Sequence, residues 1–151
     1  MENKMFCFQC QETAKGTGCT IKGVCGKEAE TSKWQDLLLS VVRGVGTIQH
    51  TLGGNASKEV ADFLVDALFS TITNANFDDQ SILNKVDTGI ALKKQLLEAA
   101  LSKNITFPNY QEVYWGGEKS DYSAEGEREG VLRNENADLR SLKELTVLGL
   151  K

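Results

Sequence analysis

Apolar residues recur along three stretches of this chain at alternating spacings of four and three, a pattern typical of helices packed in a bundle. The first stretch begins near Thr31 or Ser32, either of which would cap a helix, and ends at Gly53-Gly54-Asn55. Its apolar positions are Trp34, Leu38, Val41, Val45, Ile48 and Leu52. Gly44 and Gly46 interrupt this pattern, and each glycine costs about 1 kcal/mol in helix propensity. We therefore expect a neighbouring segment to approach the helix closely there.

The second and third stretches predict two further helices, each with a polar capping residue at its start. Ser57 begins one helix, which closes over Thr73-Asn74-Ala75-Asn76. Its apolar face carries Val60, Leu64, Leu68 and Ile72. Asp78 or Asp79 caps the next and longer helix, and Asn104 and Pro108 mark its end. Its apolar residues are Ile82, Leu83, Val86, Ile90, Leu97 and Leu101.

The remainder of the chain is less regular. Residues 105–123 hold five aromatic residues among polar ones and predict either a loop folded over the bundle or a contact surface. A short helix is expected over residues 124–133. A last helix begins at Asn136 and is still apolar at Leu148 and Leu150, where the sequence stops in mid-pattern. The predicted fold is all-α, a helical bundle of about three long helices plus a partial C-terminal helix, and the interrupted pattern favours a piece of a longer protein.

Composition and charge narrow the classes of partner. The 151 residues suit one domain, and no apolar run approaches the roughly 20 residues of a membrane helix. Residues 1–27 hold four lysines and two glutamates, a net +2, and the total of −4 leaves −6 on the rest. An acidic body argues against nucleic acid. The first seven residues lack the features of a signal peptide. We expect no membrane and a cytoplasmic location, where thiols stay reduced.

All four cysteines lie within the first 26 residues, at the spacing C-x2-C-x8-C-x5-C: Cys7, Cys10, Cys19 and Cys25. A disulfide framework would need an oxidising compartment that nothing in the sequence announces. Structural zinc usually takes two short cysteine knuckles, and only the first pair here has that form. An iron–sulfur cluster fits best, because it is wider than a single ion and accepts a longer, looser wrap of chain.

The residues between the cysteines suit such a wrap. Glycines permit close backbone approach and positive φ, and backbone N–H groups can donate to cluster sulfurs. The glycines are Gly16, Gly18, Gly23 and Gly26, and the apolar residues that could shield a cluster from water are Phe6, Phe8, Ile21 and Val24. Four cysteine ligands leave no open position for a substrate. The predicted role is therefore electron transfer.

The stretch from Phe6 to Cys19 (FCFQCQETAKGTGC), followed by Gly23-Val24-Cys25-Gly26-Lys27, closely resembles the start of the hybrid cluster proteins, also called prismane proteins, which include hydroxylamine reductases. The resemblance extends to Asp36-Leu37-Leu38-Leu39 and to residues 134–145, NENADLRSLKEL. It implies that Cys7, Cys10, Cys19 and Cys25 bind a [4Fe–4S] cluster. A [2Fe–2S] cluster, which the family holds with a wider spacing, and zinc are the alternatives.

The resemblance also implies what this chain lacks. Family members exceed five hundred residues, and the ligands of their catalytic hybrid iron–sulfur–oxygen cluster have no matching positions here. We therefore expect residues 1–30 to form a cluster-binding loop and residues 31–151 a helical bundle, together the N-terminal domain of a longer oxidoreductase. The implied partners are an external electron donor protein and the parent's catalytic domains. The alternative is a structural metal-binding or partner-docking helical module with no redox role.

Overall fold

The computed structural model describes residues 3–73 and 77–151, and within these ranges the regular structure is helical. The α-helices are α1 (Ala29–Leu52), α2 (Lys58–Ile72), α3 (Asp79–Ser102), α4 (Gln111–Tyr114), α5 (Tyr122–Glu129) and α6 (Ala137–Leu150). Short 3-10 turns lie at Ala14–Gly16, Lys119–Asp121 and Val131–Arg133. In the described part of the chain there is no β-strand, and one isolated bridge joins Cys7 and Cys19. The all-α prediction is confirmed.

The start of α1 differs from the prediction. The helix begins at Ala29, so Thr31 and Ser32 lie inside its first turn and neither caps it. Both side chains are buried, and the Thr31 hydroxyl donates to the carboxylate of Asp79 at 2.7 Å. A hydroxyl used to join two helices is not available to cap its own helix, which explains why the predicted boundary was wrong.

The predicted caps of α2 and α3 are confirmed. The Ser57 hydroxyl accepts from the N–H of Val60 at 3.3 Å, and the Asp78 carboxylate accepts from the N–H of Gln80 at 3.0 Å. The end predicted for α2 falls partly on residues 74–76, which lie outside the described residues, while the helix itself ends at Ile72. Asn104, with φ of 57°, follows the end of α3 as predicted.

Helix α1 is the central element of the bundle and packs against α2, α3, α4 and α5. Leu38, Val41, Val45 and Ile48 of its predicted stripe are completely buried. Such side chains each stabilise the fold by about 1.5–3 kcal/mol. On α2 the face is turned from the predicted one, because Phe63 and Ala67 are buried beside Val60 whereas Ile72 is 36% exposed. Leu64 and Leu68 pack at the edge of this core.

The aromatic segment folds over the bundle, as one of the two predicted alternatives had it. Helix α4 lies against α1 at Gly44, where an added Cβ would collide with the backbone of Glu112. Lys93 of α3 donates to the carbonyl oxygens of Glu112, at 2.8 Å, and Trp115. Gly46 faces open space, so the expected close approach occurs at only one of the two glycines.

The last two helices depart further from the sequence pattern. Helix α5 ends at Glu129, four residues before the predicted end, and a 3-10 turn follows Gly130. Within α6, all of whose residues are described, the one buried residue is Glu144. Four of the five leucines of this helix face outward: Leu139, Leu142, Leu145 and Leu150 are 49–81% exposed. None of the helices in the described ranges is long and apolar enough to span a membrane.

Candidate metal centre

The cysteine loop is held closed by its own backbone. The N–H of Cys7 donates to the carbonyl of Cys19 at 3.1 Å, and the N–H of Cys19 donates to the carbonyl of Cys7 at 2.9 Å. Lys4 and Met5 donate to the carbonyl of Thr20 beside them. An antiparallel pair that exchanges both hydrogen bonds has its Cα atoms about 5.5 Å apart. Cys7 and Cys19 are thus neighbours although eleven residues separate them in sequence.

The sulfur of Cys19 is buried and surrounded by hydrogen-bond donors. The N–H of Ala14 lies 3.5 Å from the sulfur, and the Thr13 hydroxyl lies at 3.7 Å. Burial alone raises the pKa of the Cys19 thiol, but hydrogen bonds from the N–H groups of Ala14 and Val24 and from Thr13 outweigh it. The pKa of Cys19 is therefore lowered, which stabilises its thiolate, the form that binds metals, relative to an ordinary cysteine.

Cys7 experiences opposing influences. Burial raises the pKa of its thiol, while the ammonium of Lys27 and the N–H of Gln9 act to lower it, and the net shift is upward. The Nζ of Lys27 lies 3.7 Å from the Cys7 sulfur. Lys27 is only 2% exposed, so this positive charge sits inside the loop rather than in solvent. Lys27 immediately follows the last cysteine motif, yet the sequence alone did not single it out.

Cys10 is partly buried and Cys25 is exposed. All four cysteines are free thiols. Among residues 3–73 and 77–151, no three cysteine, histidine or acidic side chains gather closely enough to hold a single metal ion. The structure thus brings Cys7 and Cys19 together, and the joint ligation of one centre by Cys7, Cys10, Cys19 and Cys25 stays a prediction.

The residues between the cysteines match their expected roles in part. Gly16, Gly18 and Gly26 have positive φ, and a Cβ on Gly18 would lie 2.6 Å from the Phe6 ring. Phe6 is buried, but Ile21 and Val24 are 46% and 62% exposed. These two side chains therefore do not act as the shield that their position in the sequence suggested, because the segment that carries them faces solvent.

A polar cluster behind the loop, in which Glu144 is buried and Asp36 and Lys151 are partly buried, was not predicted. The Glu144 carboxylate of α6 accepts from the N–H of Phe8 at 3.3 Å and from the Gln9 side-chain amide at 3.4 Å. Burial, and then the negative charge of Glu144, raise the pKa of Asp36 on α1 to about 7. Burial lowers the pKa of Lys151 nearby. The cluster joins the Cys7–Cys10 turn to α1 and α6.

The donor set fits an iron–sulfur cluster by its chemistry. Such clusters are held by cysteine thiolates, and their potentials depend on hydrogen bonds to sulfur and on nearby charge. The loop offers four free thiols, an N–H and an ammonium group donate to two of their sulfurs, and a hydroxyl lies within hydrogen-bonding distance of one of them. The same thiols are also chemically suited to zinc.

Comparison with known proteins agrees with the predicted resemblance. A hydroxylamine reductase from Bacteroides fragilis is 48% identical over 150 residues, which cover 97% of this chain and 27% of the relative. Similar proteins from Porphyromonas gingivalis and Nitratidesulfovibrio vulgaris are 44% and 42% identical, over 100% and 97% of this chain and 28% of each relative. The chain thus spans just over a quarter of their length. The family model described as Prismane/CO dehydrogenase family matches residues 5–151, and the chain belongs to that family.

Proposed function

We propose that this chain is the N-terminal, electron-accepting domain of a longer hydroxylamine reductase. Cys7, Cys10, Cys19 and Cys25 hold an iron–sulfur cluster of the [4Fe–4S] type. An external electron donor protein supplies the electrons, and the catalytic domains of the parent use them. In the parent reaction, hydroxylamine takes up two electrons and two protons, the N–O bond breaks, and ammonia and water form. The free thiols suit a reducing compartment such as the cytoplasm.

The observation that most supports this proposal is the set of donors aimed at the cysteine sulfurs. The N–H of Ala14 donates to the Cys19 sulfur, and the ammonium of Lys27 donates to the Cys7 sulfur. The Thr13 hydroxyl donates to the Cys7 carbonyl and also lies 3.7 Å from the Cys19 sulfur. Donors of this kind stabilise negative charge on sulfur. A loop whose cysteines served only as small apolar side chains would need none of them.

When bound, an iron–sulfur cluster supplies reversible one-electron transfer. The residues of the chain would then have distinct tasks. The Cys7–Cys19 bridge fixes the loop, and buried Met5 and Phe6 exclude water from its inner side. Cys25 and Val24 are exposed, so a donor protein can approach the loop from the solvent side. Electron transfer requires a short distance between the donor and acceptor groups, and an exposed surface allows the donor protein to come that close.

The catalytic domains of the parent would pack against the outer face of α6. This face carries Leu139, Leu142 and Leu145, each about half exposed. Leu139 and Leu142 of this face, with Arg43 and Arg133, line a groove of about 420 Å³. Grouped exposed apolar side chains on a surface often mark a site of protein contact. The relatives, nearly four times as long as the aligned region, contain the additional chain that such a contact needs.

The test is metal and sulfide analysis of the chain isolated under anaerobic conditions, with electron paramagnetic resonance of the reduced sample. We expect about four iron atoms and four sulfides per chain and a signal that appears on reduction. The Cys10→Ser variant should lose most of the iron. Gln11→Ala, a substitution at an exposed neighbour in the same turn, serves as the matched control and should keep it. Two irons per chain would indicate a [2Fe–2S] cluster, and stoichiometric zinc without iron would refute the proposal.

A second candidate is a structural or docking module without a redox role. The exposed side chains of Tyr110 and Tyr114, on the segment that folds over the bundle, favour it because they offer a surface for contact outside the cysteine loop sequence. In that case the loop binds a metal only to fix the fold. A centre that is never reduced while the parent protein turns over would support this candidate over electron transfer.

A further inference from the structure

Lys27 is an unusual lysine because it belongs to the interior of the cysteine loop. It is 2% exposed, although lysine is among the side chains least often buried. Its carbonyl accepts from the N–H of Gly23 at 2.8 Å, which closes a tight turn around Cys25. A Cβ added to Gly23 would lie 3.1 Å from the Lys27 Cβ and 3.0 Å from the Cys25 sulfur. The turn therefore fixes the position of the Lys27 Cβ, from which the side chain extends.

The ammonium of Lys27 is directed at the cysteine sulfurs. Its Nζ lies 3.7 Å from the sulfur of Cys7, and its charge also acts on the thiol of Cys19. A buried charge is costly unless an opposite charge lies close to it. The negative charge of Glu144 acts on the Cys7 thiol, and the positive charge of Lys27 acts on the carboxyl group of Asp36. The Lys27 ammonium thus acts on the Cys7 and Cys19 thiols and on a nearby carboxyl group.

We propose that Lys27 sets the reduction potential of the centre held by the four cysteines. The inference rests on the proposed function, since it requires a redox centre in the loop. Adding an electron makes such a centre more negative, and a fixed positive charge in a region of low dielectric constant stabilises that state. The Lys27 ammonium therefore favours the reduced form and raises the potential. Lys27 is a positioning residue: it places a positive charge next to the cysteine sulfurs and is itself neither a ligand nor a catalytic group.

An exposed lysine in the same loop provides the comparison. Lys22 forms an ion pair with Glu28, and both side chains are more than half exposed. Water screens such charges, so removing one has little effect a few ångströms away. If Lys27 acted only by filling space, a neutral side chain of similar length would replace it without changing the potential. The charge and the volume of Lys27 can therefore be tested separately.

The experiment is a redox titration of the anaerobically isolated chain at pH 7, followed by electron paramagnetic resonance, for wild type, Lys27→Met, Lys27→Gln, Lys27→Arg and Lys22→Met. We expect both neutral variants at Lys27 to shift the equilibrium about tenfold towards the oxidised form, which is about 59 mV for one electron. Lys27→Arg keeps the charge and should restore most of the potential. Lys22→Met should stay close to wild type.

The outcomes separate this inference from the function on which it rests. A wild-type chain without a reducible centre refutes the proposed function and the inference together. Equal potentials in all five proteins, each with its cluster, refute only the role of Lys27. If the two neutral variants fold by circular dichroism but bind no cluster while Lys27→Arg does, the charge acts in assembly and the inference is overturned.

Discussion

The contact between α1 and α4 predicts opposite effects for alanine at two glycines that lie two residues apart. Gly44 and Gly46 are both inside α1, so replacing either one by alanine gains about 1 kcal/mol in helix propensity. Their surroundings differ. A Cβ at Gly46 meets nothing within 4 Å, whereas a Cβ at Gly44 would lie 2.8 Å from Lys93 Cδ and 3.0 Å from the Glu112 carbonyl carbon, and closer still to its oxygen.

The size of the Gly44→Ala effect follows from what must move. The group that an alanine Cβ would collide with is the backbone carbonyl of Glu112, which belongs to the short helix α4. Helix α4 therefore has to shift away from α1 to relieve the collision, and overpacking of this kind costs about 1–3 kcal/mol. The shift also disturbs the hydrogen bond from the Lys93 ammonium to the Glu112 carbonyl, a bond to a charged group worth about 1.5–3 kcal/mol. After the gain in propensity, we expect Gly44→Ala to lower the free energy of unfolding by about 2 kcal/mol and Gly46→Ala to raise it by up to about 1 kcal/mol.

Urea denaturation followed by circular dichroism at 222 nm, on the isolated chain under reducing conditions, measures both changes. With a urea dependence of about 1–3 kcal/mol per molar, the two midpoints should differ by about 1 M or more. Gly46→Ala is the matched control, because it makes the same chemical change in the same helix. Equal midpoints for the two variants would show that α4 does not lie against α1 at Gly44, and the packing described for residues 105–123 would be wrong.

Three further predictions concern the loop and the polar cluster behind it. Glu144→Ala should increase the rate of amide hydrogen exchange at Phe8 at least tenfold, because a hydrogen bond to a charged group contributes about 1.5–3 kcal/mol. Glu144→Gln keeps a hydrogen-bond acceptor and should increase that rate less. Equal exchange rates in the two variants would contradict the hydrogen bond between Glu144 and the N–H of Phe8. In the metal-free chain, oxidised glutathione should link Cys7 to Cys19 before any other pair, because a Cα separation of about 5.5 Å lies within the disulfide range; peptide mapping that finds another pair first would be evidence against the bridge. Asp36 has a pKa of about 7 in the fold against 3.8 unfolded, so its contribution to the free energy of unfolding is complete below about pH 4 and is lost as pH rises through 7, by at most about 4 kcal/mol. Asp36→Asn should flatten this part of the plot of stability against pH. An unchanged plot would exclude the role of Asp36.

Local patterns predicted the long helices well, because their information is contained within a few residues. The Ser57 and Asp78 caps and the buried stripe of α1 each depend on spacing along the chain, and the structure has them where expected. The Thr31 cap was wrong for the opposite reason. Its hydroxyl binds Asp79, which is 48 residues away, and no local pattern carries that information.

The features of the candidate site can also be divided into those that the local sequence predicts and those that depend on distant contacts. The identity of the four cysteines and the positive φ of Gly18 and Gly26 could be predicted from spacing and residue type. The burial of Lys27 could not, because a lysine in a polar loop is normally solvated and only the folded turn directs it inward. The same holds for Asp36, whose raised pKa depends on burial and on a carboxylate from a helix more than a hundred residues later.

Helix α6 shows most clearly how the site and the bundle depend on each other. Leu139, Leu142 and Leu145 are about half exposed in this helix, and the inward side chain is Glu144. The carboxylate is inward because it satisfies the N–H of Phe8 in the cysteine loop, and this turns the leucines towards solvent. Covering three half-exposed leucines would contribute about 3 kcal/mol, at roughly half the value of full burial for each. The same helix therefore offers a polar contact to the loop and an apolar contact to a partner, and a protein that docks on the leucines would also hold Glu144 against the turn that carries Cys7 and Cys10.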